Sequence, residues 1–222
     1  MVTIVIVAAG SGTRFGSSVP KQFLQLAGRP VVMHTIESLR KALPSARFIL
    51  VISKSEEQRW QRLCDIYRFD SPQVLYGGET RWHSVKNAIN NIDPSARDVI
   101  MVHDGARPFV SRSLMKSILN AIEQKDVEGV IPCVPVTDSL RQTSDKGTSA
   151  VDRSHYLAVQ TPQAFRAHML KKAYELPYRP SFTDDASVME AAGFVNLAVC
   201  EGDVNNIKIT NPRDLTIAEA LL

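Results

Sequence analysis

Two glycines followed closely by two cations carry the first chemical signal in this chain. Ala8-Ala9-Gly10-Ser11-Gly12 has almost no side-chain bulk, so its backbone N–H groups can approach a ligand closely. Arg14 and Lys21 follow on a segment stiffened by Pro20, one a forked guanidinium and the other an ammonium point charge. That set suits a polyphosphate. On Gly10 and Gly12 alone, an ordinary strand-to-loop turn with solvated cations fits equally well. Spacing disposes of two other glycine signatures. A dinucleotide fingerprint needs glycine where Phe15 stands, and a P-loop needs Lys-Ser/Thr directly after its second glycine, a run this chain lacks.

Further along, Gly77-Gly78-Glu79-Thr80-Arg81 feeds a helix, a place where a ligand's polar edge can meet backbone groups, though a plain connecting turn reads the same way. His103-Asp104-Gly105-Ala106-Arg107-Pro108 falls at the end of a strand, where open α/β sheets place their ligands. Asp104 there can hold a divalent cation or orient a hydroxyl, and Arg107 can meet a phosphate. His103 beside a strand end reads as a hydrogen-bonded packing residue and is left out of the chemistry. By residue type alone Lys208 is a solvated lysine. No Ser/His/Asp or Cys/His constellation is evident. Cys64, Cys133 and Cys200 are widely spaced among apolar residues, which predicts buried thiols rather than a disulfide or zinc site.

These residues need a scaffold, and the sequence supplies an alternation of strands and helices. Thr3–Val7 is a β-branched run suited to the centre of a parallel sheet. Pro30 opens a helix carrying Val32, Ile36, Leu39 and Leu43, Arg47–Ser53 is a second buried strand, and Ser55 with Gln58 resembles a capping box for the helix that carries Trp60. Gln73–Tyr76, Asp98–Val102, Gly129–Val136, Phe194–Cys200 and Asn206–Ile209 read as strands; Trp82–Asn91, Ser111–Glu123, Ala164–Leu176, a short run through Ala192 capped by Thr183-Asp184-Asp185 and a last run from Asn211-Pro212 to Leu222 read as helices. Pro132 and Pro135 lack ladder donors and point to an edge or a bend. Thr137–Val159 is polar, with an Asp145-Lys146-Gly147 turn between two short runs, and reads as a projecting β-hairpin. The pattern predicts an α/β fold in one domain over 1–222, with a doubly wound, mostly parallel sheet.

Composition sets the outer limits. The 222 residues, 44% hydrophobic and 22% charged, are those of an ordinary globule, and a net charge of +3 is too small to indicate nucleic-acid binding. With neither a basic leader nor an apolar run of about 18 residues, the chain is expected to be cytoplasmic, without a membrane partner.

The A-A-G-x-G-x-R signature followed by Pro20-Lys21-Gln22 resembles that of the sugar-phosphate nucleotidyltransferases. Val102–Pro108 (VHDGARP), Gln160–Gln163 (QTPQ) and Asn205–Thr210 (NNIKIT) narrow the resemblance to the 2-C-methyl-D-erythritol 4-phosphate cytidylyltransferase family. The resemblance implies a Rossmann-like nucleotidyltransferase fold and transfer of CMP from CTP to methylerythritol phosphate. It implies that Ala8, Ala9, Gly10 and Gly12 line the triphosphate, that Arg14, Lys21 and Lys208 are catalytic, and that Gly77, Gly78 and Ser84 lie against the base. Asp104 and Gly105 would bind nucleotide; Asp104, Arg107, Thr161 and Thr183 would bind the acceptor, joined by Ser139 and Arg153 from a partner's arm at 137–159 in a homodimer. Mg²⁺ would bridge the phosphates. Relatives often carry aspartate where this chain has Asn205, a weaker metal ligand, so no protein ligand for the metal is assigned.

Three rival readings fit the sequence less well. A cytidylyltransferase acting on ribulose or ribitol 5-phosphate is disfavoured by Gly105-Ala106, where those enzymes tend to be bulkier. A silent nucleotide-binding module would not need Arg14, Lys21 and Lys208 together, and an NAD-dependent oxidoreductase would have to bind a dinucleotide.

Overall fold

A computed structural model describes residues 1–10, 19–95, 97–124 and 126–222. At its centre the run Val2–Ala8 forms β1, flanked in parallel by β4 (Arg47–Ile52) and β6 (Val99–Asp104), with β5 (Gln73–Tyr76) parallel beyond β4. On the other side β6 pairs antiparallel with β11 (Gln163–Arg166), and β11 pairs antiparallel with β7 (Gly129–Pro135). β7 also takes β12 (Leu197–Glu201) in parallel and β10 (Leu157–Val159) antiparallel. The sheet is therefore mostly parallel, as the sequence predicts.

Strand periodicity sorts the core into two layers. Ile4, Ile6, Leu50, Ile52 and Met101 face one side, where α1 (Val31–Ala42), α2 (Glu57–Tyr67) and α4 (Arg112–Ile122) cover them through Ile36, Leu39, Trp60, Leu114 and Ile118. Val5, Ile49, Val51, Ile100 and Val102 face the other, under α3 (Arg81–Asn90), α5 (Ala167–Ala173) and α6 (Asp185–Ala191). Burial on both faces explains why these strands read as continuous apolar runs. A smaller cluster joins the short antiparallel pair β2 (Gln25–Leu26) and β3 (Arg29–Pro30) to the last helix, α7 (Pro212–Leu221), through Leu26, Ile209 and Ala218.

Several boundaries differ from the sequence reading. The helix expected over Ala164–Leu176 begins only at Ala167; its first residues are strand β11, slotted between β6 and β7. Asn206–Ile209 is not a strand, although the Ile209 N–H donates to the Ala106 carbonyl at 2.9 Å. Ser55 forms no capping box, because a 3₁₀ turn over Lys54–Glu56 absorbs it and its hydroxyl meets Ser53 at 2.9 Å. β7 is not an edge strand: Pro132 lies where β7's antiparallel partner changes from β11 at Gly129–Val130 to β10 at Cys133–Pro135. The hairpin does form. β8 (Arg141–Ser144) and β9 (Gly147–Ala150) pair only with each other, around a turn whose Gly147 has φ +116°, a value a side chain would strain. The thiols are free, with Cys133 and Cys200 buried and Cys64 half-buried.

Candidate active site

The carboxyl ends of β1 and β6 open into a cleft of about 420 Å³. β1 delivers Ala8, Ala9 and Gly10; a 3₁₀ turn over Lys21–Phe23 delivers Lys21 and Gln22; the β5–α3 turn delivers Gly78, Glu79, Thr80, Arg81 and Ser84. β6 adds Asp104 and Gly105, and the segment before α7 adds Lys208 and Thr210. A crevice at the carboxyl ends of parallel strands is the usual ligand position in such sheets.

Packing at the cleft's back explains its glycines. A Cβ on Gly77 would sit 2.4 Å from the Ala9 Cβ and 2.7 Å from the Ser84 hydroxyl, and one on Gly105 would sit 2.9 Å from the Ala8 Cβ. Neither position has room for a side chain. At Gly78 the obstruction is the His83 Cβ, 2.5 Å away on α3. Ser84 accepts from the Gly78 N–H at 3.2 Å and donates to the Thr80 carbonyl at 3.0 Å, while the Thr80 side chain caps α3. Gln22, buried, donates to the carbonyls of Ala8 at 2.6 Å and Gly10 at 3.0 Å, tying the glycine segment to the residues that follow Pro20.

Charge converges on Asp104. Lys208 Nζ lies 2.8 Å and Arg107 Nε 3.6 Å from its Oδ2, and Arg81 Nε lies 3.4 Å from its Oδ1. Burial pushes this carboxyl up, but Arg81, Lys208 and Arg107 together hold it far below the usual carboxylate range. It is anionic at any working pH. Its backbone N–H donates to the Thr161 hydroxyl at 3.1 Å, and that hydroxyl also meets His103 Nδ1 at 3.0 Å. His103 Nε2 lies 3.0 Å from the Arg107 carbonyl and must donate there, so Nδ1 accepts from Thr161. Burial lowers the imidazole pKa to about 4, which leaves it a neutral packing residue, as expected.

Of the residues singled out from sequence, Ala8, Ala9, Gly10, Lys21, Gly78, Ser84, Asp104, Gly105 and Lys208 line the cleft. Gly77 and Thr161 stand behind its wall. Arg107 is placed differently from the expectation of a phosphate contact. It is buried, with Nη1 on the Asn206 carbonyl at 2.8 Å and Nε toward Asp104, and it does not line the cleft. Thr183 is exposed beside α6, and Ser139 and Arg153 sit at the arm, where Arg153 donates to the Thr137 carbonyl. None of these three lines the cleft. Gly12 and Arg14 fall outside the described residues. Sequence reasoning missed Gln22, Arg81 and Thr210. The Pro20-Lys21-Gln22 run contained the first of these, and the turn after Gly77-Gly78 contained the second.

Among the described residues no cluster of three His, Cys, Asp or Glu side chains could hold a metal ion, and no helix is long and apolar enough to cross a membrane. The cleft's charged lining of Lys21, Arg81 and Lys208 against Asp104 and Glu79 is cationic on balance, and suits anions larger than one carboxylate.

Comparison with known proteins gives one family. The sequence model described as "IspD: 2-C-methyl-D-erythritol 4-phosphate cytidylyltransferase" matches residues 2–222. The chain is 44% identical over 221 residues to a protein of that name from Bacteroides thetaiotaomicron, covering 99% of each chain. It is 44% identical over 222 residues to one from Bacteroides fragilis, with the same coverage. Among solved structures, a 4-diphosphocytidyl-2C-methyl-D-erythritol synthase from Anaerococcus prevotii superposes with a TM-score of 0.83 at 26% identity, covering 100% of this chain and 95% of that one.

Proposed function

The chain belongs to the 2-C-methyl-D-erythritol 4-phosphate cytidylyltransferase family, and from that premise we propose how its residues share the reaction. The enzyme transfers CMP from CTP to methylerythritol phosphate, giving 4-diphosphocytidyl-2-C-methyl-D-erythritol and pyrophosphate for isoprenoid precursor synthesis. A phosphate oxygen of the acceptor attacks the α-phosphorus of CTP, the new P–O bond forms as the bond to the β-phosphate oxygen breaks, and pyrophosphate leaves. Two polyanions must meet in line. No protein nucleophile is needed, so catalysis rests on positioning and on stabilising charge that builds at the α-phosphoryl group.

The observation that carries the assignment is the set of cations around Asp104 at the carboxyl ends of β1 and β6. Ala8, Ala9, Gly10 and Gly12 present backbone to the triphosphate. Lys21 and Arg14 stabilise the leaving charge, and Lys208 turns from Asp104 to the α-phosphate. Gly77, Gly78 and Ser84 frame the base. Asp104, beside Gly105, accepts a hydroxyl of the bound reactants, with Thr161 fixing its backbone and Arg107 acting through Asp104 and the Asn206 carbonyl. Thr183 flanks the acceptor.

Mg²⁺ suits this lining only as an ion carried in on the nucleotide. Arg81, Arg107 and Lys208 around Asp104 repel a further cation and Asn205 is neutral, so its ligands would be phosphate and water oxygens, the usual habit of Mg²⁺ in such sites. When bound, it spreads the charge of the phosphates. The cytoplasm is the proposed compartment, since both reactants are soluble phosphates.

A homodimer is proposed from the arm. Every residue of β8 and β9 is exposed, and Tyr156, Leu157 and Val159, further along the 137–159 segment, present apolar surface at 47%, 50% and 44% exposure. A lone two-stranded hairpin is marginal in water, and exchange between copies would bury it while bringing Ser139 and Arg153 to the partner's acceptor site.

Steady-state kinetics on Lys21→Ala test the division of labour. The expected result is a fall in kcat on the order of 10²-fold or more, with CTP affinity less affected, because the contact strengthens as charge builds. A raised KM for CTP with kcat intact would reduce Lys21 to ground-state binding.

A further inference from the structure

The buried carboxylate of Asp185 has no part in the reaction as described above, yet it is joined to the cleft by one side chain. Asp185 is the first residue of α6 and is fully buried. Its Oδ2 takes the Arg81 Nη2 at 2.7 Å, across 104 residues of sequence, and its Oδ1 accepts the Tyr174 hydroxyl at 2.6 Å. Tyr174 is itself fixed by stacking on Trp82, with ring centroids 5.6 Å apart and planes 19° from parallel. Asp185 is therefore held on both oxygens, by Arg81 and by the stacked Tyr174.

Arg81 has two carboxylates within reach and uses them unequally. The contact to Asp185 is short, while Arg81 Nε lies 3.4 Å from Asp104 Oδ1, too long for a strong hydrogen bond. Among the described residues that long contact is the one hydrogen bond Oδ1 accepts, whereas Oδ2 holds Lys208 at 2.8 Å. Oδ1 is thus the acceptor left open in a cleft-lining carboxylate. A half-buried guanidinium deprived of one carboxylate closes on the next within reach, preferably with both of its N–H edges. Without the Asp185 charge, Arg81 would close on Asp104 and occupy Oδ1.

We propose that Asp185 is a positioning residue that holds Arg81 off Asp104, keeping Oδ1 open for a hydroxyl of the bound reactants. The proposal rests on the reading of Asp104 as a hydroxyl acceptor. It concerns Asp185 acting through Arg81, with no contact between Asp185 and substrate.

A double-mutant cycle tests it, with pyrophosphate release and thermal unfolding measured in parallel. Asp185→Asn keeps an acceptor for Tyr174 and removes the charge; it should lower kcat/KM on the order of tenfold. Asp185→Glu, which keeps the charge, should stay within about threefold of the parent. In an Asp104→Asn background, itself strongly impaired, adding Asp185→Asn should cost nothing further, because the oxygen being guarded has lost its charge. Tyr174→Phe loosens Asp185 more gently and should give a smaller loss of about threefold, again absent with Asp104→Asn; it serves if Asp185→Asn does not fold. An equal loss from the Asp185 or Tyr174 change in both backgrounds, or no loss in either, would overturn the inference while leaving the role of Asp104 intact. Parental turnover by Asp104→Asn alone would overturn that role and the inference together.

Discussion

In the cleft, Asp104 is tied through its backbone to Thr161 and through its carboxylate to Arg81 and Lys208, each from a distant stretch of chain, and to Arg107 three residues on. In the β8–β9 hairpin, Arg141 bonds only across the ladder, to the Thr148 hydroxyl at 2.7 Å and carbonyl at 2.9 Å. The first region is fixed by long-range packing and buried charge, the second by local pairing with both faces in water. Groups that must meet a transition state within a fraction of an ångström need the first kind of support. A surface proposed to close on a second copy needs only the second kind.

The sharpest way to break this contrast is to remove the hairpin. Replacing Arg141–Ala150 by a short Gly-Ser linker should leave the thermal midpoint of the body nearly unchanged and abolish measurable cytidylyl transfer, because Ser139 and Arg153 would lose the hairpin proposed to carry them to the partner's site. Full activity in that variant would end the shared-site proposal. Mixing Arg153→Ala and Lys21→Ala proteins refines it. Subunit exchange should return up to about a quarter of parental activity, since about half the dimers are mixed and each of those has one site free of both changes. No recovery after demonstrated exchange would mean that each site is complete within one chain.

Next in size is a pH effect confined to the body. His103 is buried and neutral, with its pKa pushed down to about 4 from 6.5. Below pH 6.5 the unfolded chain binds this proton and the folded one does not, so stability falls as pH drops from about 6.5 to about 4, by up to about 3 kcal/mol. Urea unfolding at several pH values should show that slope in the parent and a flatter one in His103→Gln.

The smallest effects separate the regions by single side chains. Gly105→Ala forces a Cβ to 2.9 Å from that of Ala8. It should cost about 2 kcal/mol of stability and raise the KM for CTP. Arg141→Ala, exposed on the hairpin, should shift stability by less than about 0.5 kcal/mol. Equal costs from the two substitutions would erase the distinction.

Much of this was legible in the sequence because it is local. The β-branched run Thr3–Val7 fills a strand buried on both faces wherever it lies in a sheet, and Asp184 and Asn211 cap helices through hydrogen bonds that span three residues. The Asp145-Lys146-Gly147 turn specifies a hairpin by its own backbone needs. The motif residues at the ends of β1 and β6 came to one cleft because parallel strands align their carboxyl ends. What the sequence could not decide depends on partners far along the chain. Ala164–Arg166 reads as the start of a helix, and with Gln163 becomes a strand because β6 and β7 leave it a slot between their edges. Lys208 belongs to no strand, and is brought to Asp104 by the bond from Ile209 to Ala106. Arg107 looks like a phosphate ligand in its motif, yet the fold spends its guanidinium on Asn206 and Asp104. Asp185 reads as an acidic residue in a helix's first turn. Only the tertiary structure sets it against Arg81, because the energy of an ion pair depends on distance through space and not on separation in sequence.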